Sequence, residues 1–380
     1  MALLTPCFWP EVRRGGERYV RELADGLIAR GHRPQLITSH PGRTRRSVED
    51  GLPITRLWRP PTKWLDRLGL EQYLTHVPAS YAALRSSSCD VAHAHFPTDA
   101  LAAGRWTKAT GRPSILTYHG IPDPRGLDAR RLTRRITRKV VAECTAVTAV
   151  SKTAADAFER YLGVEAQVIH PGVDLEAFVP ALRRSERPTI FSAATPDEAR
   201  KRVGLLVDAF RLVRRARPDA QLRLLRPRDP AVAARLLAGA AGIELIETVS
   251  DPRVLAEEYG RAWASALPSI GDSFGITLIE SLACGTPVVA SNLDALPEVV
   301  DSPEIGRLFD GEEPEPLARA LLEALELGSD EGCRAACRRR AEQFSTERCV
   351  RDHELLYHRV LGRSAPEPAT QPGQRARPGG

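Results

Sequence analysis

A chain of 380 residues exceeds what one ordinary hydrophobic core serves and suits two domains of roughly 150–200 residues each. Its hydrophobic content of 42% fits a soluble globular protein, no apolar run approaches the roughly 20 residues that span a bilayer, and the opening residues lack the pattern of a secretory signal. The net charge of +6 comes almost entirely from arginine and suits anionic ligands, yet no finger, ribonucleoprotein or helix-turn-helix pattern supports a nucleic-acid partner.

The first strand is expected over Ala2–Thr5, followed by a glycine loop at Gly15 and Gly16 and a helix over Glu17–Arg30. In that helix Tyr19, Leu23, Leu27 and Ile28 recur at helical spacing, and Gly31 ends it. Strand-like runs follow at Gln35–Ser39, Val91–His95, Ser114–Tyr118 and Ala146–Val150, and Ser151 reads as the N-cap of the next helix. Pro41–Asp66 and Pro122–Arg130 carry no pattern that assigns an element. Leu127–Glu143 reads as one helix with Arg130, Arg134 and Arg138 in a row; most simply this is a solvated face, the other reading being docking on anionic lipid or an acidic acceptor.

A second domain is expected to begin near Arg184–Arg187, after the His170–Gly172 turn. The division is 1–180 for the first domain, 181–345 for the second, 346–363 for a final helix and 364–380 for a Pro/Gly/Gln-rich disordered tail. Strands of the second domain are expected at Thr189–Ala193, Gln221–Leu225, Glu244–Glu247, Ser265–Pro268 and Pro287–Ala290. This strand–helix alternation argues for α/β layers on parallel sheets. The seven scattered cysteines favour a reduced, cytoplasmic setting over a disulfide framework, and Cys333 and Cys337 read as ordinary helix residues.

Chemistry concentrates in Leu267–Ser291, LPSIGDSFGITLIESLACGTPVVAS. Asp272 sits in a Gly/Ser-rich loop and Glu280 follows after an apolar run. The junction at Phe274 and Gly275 opens a helix, whose first N–H groups, from Gly275, Ile276 and Thr277, aim at whatever lies above them. Such a helix start is a site for an anion, most often a phosphate. Carboxylates flanking it can hold hydroxyl groups, as a nucleotide-sugar would require.

With GTPVVAS after the acids, this segment resembles the E-x7-E signature of the retaining glycosyltransferase family 4. GGERYVRELADGLIARGHRPQLIT (Gly15–Thr38), DVAHAHF (Asp90–Phe96), LTYHG (Leu116–Gly120) and VIHPGVDLEAF (Val168–Phe178) are similar to other segments of that family, in its order. The resemblance implies an α/β, GT-B fold: two Rossmann-like domains facing each other across a cleft, with the C-terminal helix crossing back to the first. It implies that the first domain binds an acceptor and the second a nucleoside diphosphate sugar, whose sugar is moved with retention and without a metal or other cofactor. The acceptor itself, whether a glycan, glycolipid or small metabolite, is not legible.

By the same resemblance, Gly15 and Gly16 approach the diphosphate, His119 faces the transferred sugar, and Asp272 takes the sugar hydroxyls. Glu280 would hold the ribose, and Lys201 would clamp the diphosphate. The chain departs from the family at two of these places: Asp272 stands where Glu is usual, and Thr195 where a phosphate-binding arginine is usual. Arg200 or Arg202 is the expected replacement, because a guanidinium binds phosphate bidentately. These departures motivate the alternative of a non-catalytic nucleotide-sugar-binding or scaffold protein. A dinucleotide-dependent dehydrogenase is disfavoured, since no G-x-G-x-x-G with a following acid is present.

Overall fold

The computed structural model describes residues 1–12, 15–239, 241–247 and 251–364, so the tail expected to be disordered lies outside them from residue 365 on. The first sheet comprises β1 (Ala2–Leu4), β2 (Gln35–His40), β3 (Arg45–Glu49), β4 (Leu52–Trp58), β5 (Ala92–Ala94), β6 (Ser114–Tyr118), β7 (Ala146–Ala149) and β8 (Gln167–Val168). Their order across the sheet is β3-β4-β2-β1-β5-β6-β7-β8, and every pairing except β3 with β4 is parallel. The second sheet comprises β9 (Thr189–Ser192), β10 (Gln221–Leu225), β11 (Ile243–Ile246), β12 (Ala264–Leu267), β13 (Val288–Ser291) and β14 (Gly306–Phe309). It runs β11-β10-β9-β12-β13-β14 and is parallel throughout. Central strands such as β9, β12 and β13 are buried along their whole length, as helices on both faces require, which is why they read as continuous runs rather than alternating ones.

Gly15 and Gly16, expected in a loop, form the start of the helix Gly15–Ala29, and β8 and β14 were not among the expected strands. Two further stretches differ more. Within Pro41–Asp66 lies the β3–β4 hairpin, turned at Asp50 (φ 48°) and Gly51 (φ 80°); an Asp-Gly pair suits a turn that needs positive φ at both central residues. The basic stretch is not one helix from Leu127 to Glu143. It is split into Pro124–Asp128 and Thr133–Glu143. The link is drawn aside by hydrogen bonds: Arg130 donates to Asp66 (2.8 Å) and to the Leu70 carbonyl (2.7 Å), and the Arg131 N–H donates to the Gly69 carbonyl (3.0 Å). Arg134 folds back on Asp128. The arginines therefore do not form a single continuous ridge.

The final helix, Thr346–Val360, crosses back to the first domain after a bridge between Val173 and Ser345. Cys349, Val350, Leu356 and Tyr357 join Leu3, Tyr19, Val20 and Leu23 in one apolar core. Close contact with the helix Gly15–Ala29 depends on Gly26, where a Cβ would meet Val350 Cγ2 at 2.4 Å. Arg30 and His32 converge on Glu354, at 2.5 and 2.7 Å. A second tie between the domains caps the helix Lys152–Leu162. Ser151 Oγ accepts from the Ala154 N–H (3.1 Å), as the sequence predicts, while Glu298 of the second domain accepts from the Lys152 and Thr153 N–H groups at 2.8 and 2.6 Å. Among the described residues, no helix is long and apolar enough to cross a membrane.

Candidate active site

Strand order reverses between β1 and β5 in one sheet and between β9 and β12 in the other. Loops leaving the carboxyl ends at such a point splay apart and open a crevice where ligands bind. From the first sheet this crevice receives Gly15 and Gly16 after β1, His95 after β5 and His119 after β6. From the second it receives Lys201 after β9 and the Asp272–Gly275 loop after β12. The two sets meet. A Cβ on Gly15 would lie 3.3 Å from Ile276 Cδ1, and Ser273 Oγ donates to the His119 carbonyl at 2.7 Å.

The second-domain half is built on the helix Ile276–Ala283. Its N-cap, Gly275, has φ 93°, where an L side chain is strained, and it supplies no side-chain cap. The amides of the first turn are thus left without a capping side chain, at the positive end of the helix dipole. Thr277 Oγ1 is buried here without a partner. Lys201 Nζ donates to Asp272 Oδ2 at 2.9 Å and to Oδ1 at 3.2 Å, and Ser269 Oγ also donates to this carboxylate. Burial pushes the Asp272 carboxyl up, but Lys201, Ser269 and Arg200 outweigh burial and hold it below the ordinary range. Arg200 lies 3.4 Å from Asp272. Arg202 turns away, its Nε donating to the Pro268 carbonyl (2.5 Å) and Nη2 to Ser291 Oγ (3.1 Å). Thr195 bonds only weakly, at 3.4 Å, to Asp197. Phe274 is buried beneath the loop and stacks on His170, with ring centroids 5.4 Å apart.

Glu280 is 2% exposed and accepts from Tyr259 Oη at 3.2 Å. Its other oxygen accepts from Arg18 of the first domain, which also donates to Glu22 (2.7 Å) and lies over the Phe178 ring. Burial works against the charged Arg18, yet Glu280 and Glu22 overcome it and raise its pKa. Sequence reasoning missed Arg18. The signal was available: Gly15, Arg18 and Glu22 fall at helical spacing on one face, the face that meets the second domain.

On the first-domain side His119 Nε2 lies 3.2 Å from His95 Nδ1, and Tyr19 packs edge-on against its ring. Burial lowers the His119 pKa to about 4 against a partial upward pull from Glu17, so the imidazole is neutral near pH 7. Behind it His95, His93 and His353 continue a buried group. His93 reaches Tyr357 Oη and Thr117 Oγ1, both at 2.7 Å, and Tyr19 Oη meets His353 Nε2 at 3.0 Å. Among the described residues, no group of three or more His, Cys, Asp or Glu side chains is placed to hold a metal ion.

Comparison with known proteins agrees with this geometry. Residues 13–177 match the model of Glycosyltransferase Family 4, and residues 187–327 that of Glycosyl transferases group 1. A D-inositol 3-phosphate glycosyltransferase of Jonesia denitrificans is 28% identical over 90% of each chain. A phosphatidyl-myo-inositol mannosyltransferase of Propionibacterium freudenreichii is 31% identical over 64% of this chain and 63% of its own. Among solved structures, sucrose-phosphate synthase from Thermosynechococcus elongatus superposes with a TM-score of 0.78, at 21% identity over 95% of this chain and 98% of that one. HepE from Anabaena, in complex with UDP and glucose, superposes with a TM-score of 0.68 at 16% identity over 93% and 98%. The motif order, the paired parallel sheets and the two matched halves agree: the chain is a glycosyltransferase of family 4, with the GT-B fold.

Proposed function

We propose that the chain moves a sugar from a nucleoside diphosphate sugar to a hydroxyl of an acceptor, with retention of configuration and without a divalent metal. The observation that carries this reading is the uncapped start of the helix at Gly275 with Lys201 beside it, facing Gly15 and His119 across the cleft. A diphosphate resting there would meet backbone N–H groups, the Thr277 hydroxyl and an ammonium, a fixed positive field that stabilises charge as it develops on the leaving group. The two relatives named above, for inositol 3-phosphate glycosyl transfer and phosphatidylinositol mannosyl transfer, support glycosyl transfer, and the UDP-bound HepE supports a donor of this class.

In the reaction the bond between the anomeric carbon and the diphosphate oxygen breaks, and a bond from the acceptor oxygen forms on the same face. The acceptor proton passes to the departing phosphate. Lys201 shifts from Asp272 toward that phosphate, and Asp272 is then free to accept from the sugar hydroxyls. Neutral His119 supplies a hydrogen bond to the sugar and tolerates positive charge at the anomeric carbon better than an imidazolium would. Glu280, released in part from Arg18, accepts from the ribose. Cys89, Cys144, Cys284, Cys333, Cys337 and Cys349 carry free thiols, a state that suits a reducing compartment.

A second reading has its own observation. Glu280 is already satisfied by Arg18, and Lys201 by Asp272, an arrangement that a non-catalytic binding protein could keep. Native mass spectrometry with UDP-glucose, UDP-N-acetylglucosamine and GDP-mannose, followed by hydrolysis assays on each donor that binds, separates the two. Binding followed by release of the nucleoside diphosphate supports transfer. Binding with no turnover across an acceptor panel supports the second reading, and no binding of any donor removes both.

A further inference from the structure

In the run Ala92-His93-Ala94-His95, alternate residues of an extended chain share a face, and the rings of His93 and His95 lie 4.2 Å apart. His95 follows the end of β5, where its N–H donates to the Leu4 carbonyl at 2.9 Å and so fixes its main chain. Its ring is thereby set against His119, with Nδ1 3.2 Å from His119 Nε2. Tyr19 closes another side of the His119 ring, edge-on, with centroids 4.8 Å apart. His95 itself is 3% exposed, so any part it plays in the reaction passes through His119.

The contact between the two ring nitrogens holds one proton. Burial keeps both imidazoles uncharged, so one ring donates and the other accepts. Each neutral ring has a single N–H, and the choice made at this contact therefore fixes the remaining nitrogen of both rings. His95 Nε2 is sealed from solvent and has no partner among the described residues. If His119 were the donor, His95 would carry its proton on Nε2, an N–H shut in with nothing to accept it. Orphaned N–H groups are rarer in folded proteins than under-used acceptors. The favoured arrangement has His95 Nδ1 donating and His119 Nε2 accepting, which puts the His119 proton on Nδ1. That nitrogen makes no hydrogen bond among the described residues, and His119, only half-buried, lines the opening beside the cleft.

We infer that His95 is a positioning residue for sugar transfer: by donating from Nδ1 to His119 Nε2 it holds that ring in place and keeps its proton on Nδ1, as an N–H donor to the reacting sugar. The inference rests on the transferase reading above for the word sugar, while the proton assignment rests on the two rings. An N–H donated to a hydroxyl oxygen needs no charge on the imidazole, so His119 grips the sugar without opposing positive charge at the anomeric carbon. A ring free to move its proton between the nitrogens would present a bare nitrogen for part of the time. His95 removes that fraction.

Ring-nitrogen NMR on the full chain with isotopically labelled histidine, near pH 7 and without donor, reads which nitrogen of each imidazole carries the proton. His119 should show a protonated Nδ1 and a bare Nε2, its signals being identified by their loss in His119→Gln. A protonated Nε2 in His119 overturns the proposal whatever the activity. Two variants test the consequence for rate, read as nucleoside diphosphate released from whichever of UDP-glucose, UDP-N-acetylglucosamine and GDP-mannose the native chain binds. His95→Asn places an amide N–H where Nδ1 stood and should keep kcat within about threefold. His95→Leu removes the donor and should lower kcat about thirtyfold while the KM for the nucleotide sugar moves less than about threefold. Circular dichroism and UDP binding confirm that each variant is folded. Equal loss in both folded variants, or no loss in His95→Leu, overturns the positioning role. If the native chain turns over none of the three nucleotide sugars, the transferase reading falls, and the proton assignment stands or falls on the spectrum alone.

Discussion

His119 and Glu280 approach the cleft from opposite domains, and their replacement separates chemistry from folding. On the proposed reading, His119→Ala and Glu280→Ala should each lower sugar transfer about a hundredfold or more, measured as nucleoside diphosphate released with acceptor present, since each would remove a group that the proposal sets against developing charge or against the donor. Turnover unchanged in both would place the reaction elsewhere. Arg18 answers to a different measurement. It stands between Glu280 and Glu22, and Arg18→Met leaves a carboxylate that is 2% exposed without its cation. Breaking one side of such a pair costs on the order of 3–5 kcal/mol, so the variant should show a lowered denaturant midpoint even without any donor. The residue level was only partly legible from sequence. Gly15, His119, Lys201, Asp272 and Glu280 could be named because each sits in a motif with a turn or helix start beside it. Arg18 and Ser273 could not, because their importance comes from what the other domain brings against them, nor could Tyr259, which meets Glu280 only once the second domain has folded.

At the scale of single elements, the helix Ile276–Ala283 owes its open N-terminus to Gly275. A Cβ there would sit 2.8 Å from Leu296 Cδ2, at a φ of 93° that L residues avoid. Gly275→Ala should cost about 1–3 kcal/mol in thermal unfolding and weaken donor binding at least tenfold as the first amides shift. Wild-type donor affinity in this variant would show that the phosphates do not rest on that turn. Most parallel strands were readable to within a residue or two because buried strands between helices leave continuous runs bounded by turns; β10 (Gln221–Leu225) was read without error, whereas the edge strands β8 and β14 were not seen. The β3–β4 hairpin was not seen, since its outer strand is mostly exposed and its pattern weak, although Asp50-Gly51 was a usable turn signal. Leu127–Glu143 was misread for the opposite reason: the helical spacing of its arginines is regular, but hydrogen bonds to Asp66, Leu70 and Gly69 bend the chain between Asp128 and Thr133, and no local pattern announces partners some 60 residues away.

For the molecule as a whole, the stacked histidines tie stability to pH. Burial holds His93, His95, His119 and His353 below the ordinary imidazole value of 6.5, with His353 at about 4. The unfolded chain takes up these protons as pH falls below about 6.5, whereas the folded chain resists to lower pH, to about 4 for His119 and His353. The contribution of those two is therefore complete above pH 6.5 and drains away between 6.5 and 4, on the order of 3 kcal/mol for His353 alone. The Tm should fall steeply across that window and less steeply in His353→Gln; a flat profile from pH 7.5 to 4.5 would contradict the burial. The two-domain plan and the returning final helix were within reach of the sequence because motifs recur in order along it. The ties between the domains were not, since each joins residues more than a hundred positions apart. One of them bears on motion. The carboxylate of Glu298 terminates a helix that belongs to the opposite lobe, through the N–H groups of Lys152 and Thr153. A straight parting of the lobes would strip both amides at once, while a swing centred on Thr153 keeps them bonded. Rotation about Thr153 is therefore the movement of the lobes that leaves both capped amides satisfied.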